Sequence, residues 1–215
     1  MTEIANEDII NSIVTTFEKY VKKGLFNPDF IGPNREYYSG GRCHSRVLGI
    51  LLEAIQSLGY ITDIERSIKF ERSYKSHNNK RAIHQFKPDI TFVNNRDEIV
   101  GLIEYETIDA SEDHLYQKIE YFGLAIPANR TLKVIIYLPT LTTLKKAPQK
   151  WIEKNRKKYI EPIFTKMKSL SKKYPDLKFY FFDLDEEGLS HQLIENGNII
   201  DKQRYNIFEY ERNRS

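Results

Sequence analysis

Lys87-Pro88-Asp89-Ile90-Thr91-Phe92-Val93-Asn94-Asn95-Arg96-Asp97-Glu98-Ile99-Val100-Gly101-Leu102-Ile103-Glu104-Tyr105-Glu106 is the stretch on which the fold turns. Two apolar runs flank a polar Asn-Asn-Arg-Asp segment, and that pattern reads as a β-hairpin with strands over about His84–Val93 and Ile99–Glu106. The second run is apolar on both faces, as expected of a central strand covered from both sides. Side chains alternate along a strand, so Phe86, Pro88, Ile90 and Phe92 share one face and Asp89 lies on the other with Gln85 and Lys87. Glu104 and Glu106 share a face with Val100 and Leu102. A turn centred near Arg96 sets Asp89 opposite residue 103 or 104. Three carboxylates then converge at one end of a buried strand.

A glutamate that follows an apolar strand is often only its solvated end, and Glu106 alone fits that description. Glu104 does not, because its strand is covered on both faces. Unpaired buried carboxylates cost several kcal/mol each, roughly. A hard divalent cation is the natural compensation, since Mg²⁺ takes one or two carboxylates together with waters and phosphate oxygens.

Outward from the hairpin, the periodicity predicts a helix over 7–23 with Ile9, Ile10, Ile13, Val14, Phe17, Tyr20 and Val21 as its apolar stripe. Gly24 ends it, and a loop follows to Gly41. A second helix is expected from Cys43 to Leu58, where His44 falls on the apolar arc and Arg46 and Glu53 point away. One strand is expected over Thr62–Glu71, with Ile64, Ile68 and Phe70 on one face. The basic segment Arg72–Arg81 reads as an exposed turn. Beyond the hairpin come a helix from Ser111 or Asp113 to Leu124, an interior strand Thr131–Leu138, a basic helical region 145–173 kinked or divided by Pro162, and a last strand 178–184. Asp183, Asp185, Glu186 and Glu187 read as an acidic tail to that strand.

These elements predict one α/β domain over 1–215 with a mixed central sheet, flanking helices and an extra N-terminal helix. Hydrophobic residues make up 40% of the 215 and aromatics 13%, which suits a packed core. A net charge of +3 is compatible with nucleic acid without demanding it. Cys43 is the sole cysteine, so neither an intrachain disulfide nor a cysteine-rich zinc site can form. No apolar run approaches the roughly 20 residues that span a bilayer, so no membrane association is expected. The first residues are polar and acidic, unlike a secretory signal, and the expected location is the cytoplasm.

Pro88-Asp89, fourteen intervening residues and then Glu104-Tyr105-Glu106 resemble the PD-(D/E)XK nuclease motif. The predicted order αβββαβ over about 41–138 resembles that superfamily's restriction-endonuclease-like core. The resemblance implies a metal-dependent endonuclease acting on DNA, with Asp89 and Glu104 as ligands of Mg²⁺ (Mn²⁺ as substitute), and it implies duplex cleavage by a homodimer. One position departs from the pattern: Glu106 stands where lysine is usual. Either Glu106 serves as a third metal ligand or as the base for water, or Lys118 supplies the lysine from the following helix. Lys118 lies three residues after Leu115 and four before Phe122, at the border of the buried stripe, with Gln117 beside it as a weaker candidate. Without either repair the chain is an inactive relative that binds nucleic acid or a protein partner.

His44 is an accessory candidate for contact with metal-bound water or phosphate, although a lone histidine on such a face is more often a hydrogen-bonded core residue. Arg72, Lys75, Lys80 and Arg81 in the basic turn, and Lys150, Lys154 and Lys157 in the basic helical region, are candidates for the nucleic-acid backbone. A solvated helix face accounts for the latter run equally well.

Overall fold

The computed structural model describes residues 6–27, 40–73, 81–107, 112–140, 153–154, 156–185 and 187–209, and for 6–7, 40–42, 70–73, 81–84, 107 and 112–118 it describes the backbone alone. In chain order the elements are α1 (Asn6–Lys22), α2 (Gly40–Ser57), β1 (Ile61–Ile64), β2 (Ile68–Ser73), β3 (Arg81–Phe86), β4 (Ile90–Val93), β5 (Ile99–Thr107), α3 (Glu112–Ala128), β6 (Val134–Thr140), α4 (Glu161–Lys173), β7 (Lys178–Asp185), β8 (Gly188–Glu195) and β9 (Asn198–Tyr205). A π-helical turn at Arg156–Ile160 runs directly into α4, and Pro162 sits in the first turn of α4, where its missing N–H leaves no helical bond unmade.

Seven strands form a mixed sheet in the order β1-β4-β5-β6-β7-β8-β9. β5, β6 and β7 run parallel, joined through α3 and α4, and the outer neighbours pair antiparallel. Both faces of this sheet are covered. Ile103, Tyr105, Ile136, Leu138 and Phe182 pack with α1 and α2 residues such as Phe17, Val47 and Leu51. Leu102, Ile135, Tyr137 and Phe181 pack with α3 and α4 residues such as Ile119, Phe122, Ile163 and Met167. The period-two alternation of β5 thus sends Leu102 and Glu104 towards α3 and α4.

The long strands expected at Thr62–Glu71 and His84–Val93 are each broken in two, and at the same level. Ile64 pairs with Ile90 in the central sheet, whereas Ile68 pairs with Phe86 in a separate two-stranded sheet, β2–β3. Pro88 explains one break, because it has no N–H to give the ladder. Glu65, at φ 51, makes the other, and its N–H donates to Asp89 O at 3.2 Å. The outer hairpin folds over α3, where Phe86 meets the rings of Tyr121 at 5.5 Å and Phe122 at 5.6 Å. This corrects the expected shared face of Ile64 and Ile68: Ile64 is 61% exposed on the edge strand and Ile68 only 3%.

The strand 178–184 is not the last. β8 and β9 follow as a hairpin whose turn residues Asn196 (φ 47) and Gly197 (φ 76) both take positive φ, as a two-residue turn between strands demands. The presumed acidic tail is also structured. Asp183 is buried in an ion pair with Arg156, and Asp185 Oδ1 accepts the N–H groups of Glu187 (2.9 Å) and Gly188 (3.1 Å). Both edges of the sheet are thinly covered: β1 is four residues long and exposes Ile61 and Ile64, and β9 is exposed along nearly its whole length.

Phe92 pairs across the strands with Gly101, and a Cβ on residue 101 would fall 1.8 Å from the Phe92 ring. Gly101→Ala is expected to lower unfolding free energy by about 1–3 kcal/mol or more in urea titration. Phe92 is fully buried, so Phe92→Ala alone should cost about 3–5 kcal/mol. In the double variant the ring that residue 101 would strike is gone, and the combined loss should fall short of the sum.

Candidate functional site

The break at Pro88 leaves Asp89 outside β4, one step beyond the Ile90–Ile103 pair and beside Glu104. The two residues hold each other's strands. The Asp89 N–H donates to Glu104 Oε2 at 3.2 Å, and the Tyr105 N–H donates to Asp89 Oδ2 at 2.8 Å. Each carboxylate therefore stands in for a ladder bond that the interrupted strand cannot make. Glu104 is fully buried, whereas the Asp89 side chain keeps 14% of its surface exposed.

His44 reaches the pair from the first turns of α2. Its Nε2 lies 3.7 Å from Asp89 Oδ1, and its ring sits 5.2 Å from that of Tyr105. The Tyr105 hydroxyl in turn lies 3.5 Å from Cys43 Sγ. α2 is thus fastened to β5 by neighbouring contacts at Cys43 and His44, and His44 is half-exposed rather than enclosed in the core. Glu106, two residues beyond Glu104 on the same face, is half-buried.

Among the described residues, no three Asp, Glu, His or Cys side chains form a ready metal cage. The Asp89–Glu104 pair offers hard oxygen donors of the kind Mg²⁺ and Mn²⁺ accept, with waters and phosphate oxygens completing the shell. The side chains of Gln117 and Lys118 on α3 lie outside the described residues, as do those of Arg72 and Arg81 in the outer hairpin. Lys75, Lys80 and Lys150 lie outside them altogether, and so does Glu36. Lys154 and Lys157 are exposed.

Three residues at this end of the sheet escape the sequence reading. Tyr137 on β6 stands directly beside Glu104 in the parallel register and is fully buried, yet its hydroxyl has no hydrogen-bond partner among the described residues. Burial first, then the negative charges of Glu106 and Asp89, hold that hydroxyl well above the usual phenol range, so it remains a donor at any physiological pH. Asp183 lies near the C-terminal end of β7, and Arg156 joins it from the basic region, with its Nη1 3.9 Å from Asp185. Burial lowers the Arg156 pKa from its ordinary value, opposed by the charge of Asp185. Tyr137 is hidden in an apolar run, and only the sheet order reveals its neighbour. Arg156 and Asp183 are far apart in sequence and carry no local signal.

No family model and no curated protein matches this chain. Among solved structures, a chain of "cryoEM structure DrdV-DNA complex" overlays with a TM-score of 0.35 at 12% identity, over 89% of this chain and 12% of that one. This protein therefore spans a small part of that neighbour's length, and a likeness at that level decides neither fold nor activity.

The reciprocal bonds separate the structural from the electrostatic role of Asp89. In metal-free buffer Asp89→Asn keeps an acceptor for the Tyr105 N–H and removes one of two neighbouring negative charges. It should unfold at the native temperature or above. Asp89→Ala strands that N–H and should lose about 1–3 kcal/mol, read by thermal or urea denaturation.

Proposed function

We propose that this protein is a Mg²⁺-dependent endonuclease that hydrolyses phosphodiester bonds in DNA, built on a restriction-endonuclease-like core. The observation that carries this reading is the mutual fastening of Asp89 and Glu104 at the C-terminal end of a central strand. Ligand sites of open α/β sheets favour that end. With β2–β3 set aside as an excursion, the order α2, β1, β4, β5, α3, β6 also follows the αβββαβ pattern, with β4 antiparallel and β6 parallel to β5.

Asp89 and Glu104 would hold the cation, which when bound supplies Lewis acidity to the scissile phosphate and lowers the pKa of a bound water. The remaining work falls to the chain. Glu106, on the same strand face as Glu104, orients the attacking water and accepts its proton. His44, beside Asp89 and half-exposed, meets the phosphate from the α2 side. The strand bonds of Asp89 and Glu104 fix both carboxylates before substrate arrives, so little reorganisation is left for the reaction. The exposed Lys154 and Lys157 follow the DNA backbone through salt-sensitive contacts, and duplex cleavage takes two copies of the chain, one per strand.

Purified protein with Mg²⁺ or Mn²⁺ should cleave DNA when offered supercoiled, linear, branched and single-stranded forms. Asp89→Ala and Glu104→Ala should each lower the rate by at least about 100-fold, since losing a direct ligand exceeds the 10–100-fold typical of outer partners. Glu106→Gln should lower kcat and leave the KM for DNA near its native value. If no form is cut while DNA is still bound in gel shifts, the departure at Glu106 marks a nuclease-like domain that binds without cutting. Cleavage that survives both alanine substitutions overturns the site.

A further inference from the structure

The Tyr137 phenol is an oddity of this core. Aromatic hydroxyls that are buried find partners, because an unsatisfied one costs about 1–3 kcal/mol, and phenylalanine would fill the same space without that cost. The ring is pinned, edge-on to Phe122 at 6.2 Å and tilted on Phe181 at 6.3 Å. Its position beside Glu104 in register puts it one strand spacing, about 4.8 Å, from the strand that carries Glu104 and Glu106. The hydroxyl is hydrogen-bonded to no described group, and the strand next to it carries Glu104 and Glu106.

We propose that Tyr137 is a positioning residue whose hydroxyl donates a hydrogen bond to a water on the cation held by Asp89 and Glu104, on the side facing Glu106. The inference rests on the metal-site reading above and extends it to a residue on a third strand. A water held by the cation would keep one lone pair to accept the phenol's hydrogen bond, while its own O–H groups would donate to Glu106 and to solvent or phosphate. This arrangement gives the phenol the partner it lacks among the described residues and gives the water the two to four polar neighbours that a held water needs.

Tyr137→Phe removes one oxygen and keeps the ring, and the full-length protein provides the test without nucleic acid. Mn²⁺ alone is titrated calorimetrically into native protein, Tyr137→Phe and Glu104→Gln, and the metal-free forms are melted alongside. Tyr137→Phe should melt at the native temperature or above it in the absence of metal, since an unsatisfied hydroxyl has gone. Its Kd for Mn²⁺ should rise about 10–100-fold, the usual consequence of losing an outer partner. In the cleavage assay kcat should fall while the KM for DNA holds. Native Mn²⁺ affinity in Tyr137→Phe, with Glu104→Gln impaired, overturns the role of Tyr137 and leaves the metal site standing. If native protein and Glu104→Gln bind Mn²⁺ alike, or neither binds it, the metal site falls and the Tyr137 role falls with it.

Discussion

A sheet cannot run its hydrogen-bond ladder through a proline, and at Pro88 this chain meets that limit next to its central strand. The backbone leaves the ladder between Phe86 and Ile90, and the bonds it forfeits are remade through Asp89. Its N–H goes to the Glu104 carboxylate, its carbonyl takes the Glu65 N–H, and its carboxylate takes the Tyr105 N–H. The corner then lets the outer hairpin turn away from the sheet and fold down on α3, where Phe86 closes over Tyr121 and Phe122. The same three bonds that repair the ladder fix the acid pair. Placement of the carboxylates and integrity of the sheet are one constraint.

The electrostatic consequence follows from where the pair is fixed. Glu104 is wholly buried and Asp89 is half-buried, so one carboxylate sits in a low-dielectric wall and its neighbour opens towards solvent and His44. Charges in such a wall act strongly on whatever is brought to its open side, whether a cation, a water or a phosphate. The other polar residues at this end of the sheet are disposed around it. Tyr137 flanks Glu104 within the sheet, and Arg156 ties the basic helical region to Asp183 two strands away from β5.

The α/β class, the mixed sheet and most helix positions are legible in the sequence because they rest on local periodicity. The stripe of α1 and the doubly apolar β5 and β6 are such signals; the hairpin turn leaves Asp89 opposite residue 103 or 104, and it is the irregularity between Phe92 and Val93 that sets it beside Glu104. What parity cannot see is an interruption. Pro88 is itself a breaker signal, but the partner break at Glu65 is a positive-φ residue with no glycine to announce it. A continuous reading therefore joins β1 to β2 and puts Ile64 on one face with Ile68. The β8–β9 hairpin carries a local signal as well, since Asn196-Gly197 between alternating runs is the strongest short turn signal there is. Tyr137 and the Arg156–Asp183 pair were not readable, since their meaning depends on which strands become neighbours.

The sheet also has to end somewhere, and its two margins do so in different ways. An open strand edge is a template on which other chains can add, and long, flat, apolar edges drive aggregation. β1 carries exposed isoleucines but offers four residues, too short a run to seat a foreign strand firmly. β9 is twice as long; it exposes Ile199 and Ile200 in its first half, and Asp201, Lys202 and Arg204 place charges of both signs along the rest, which an incoming strand would have to bury. Brevity limits pairing at one margin, and charge limits it along the second half of the other.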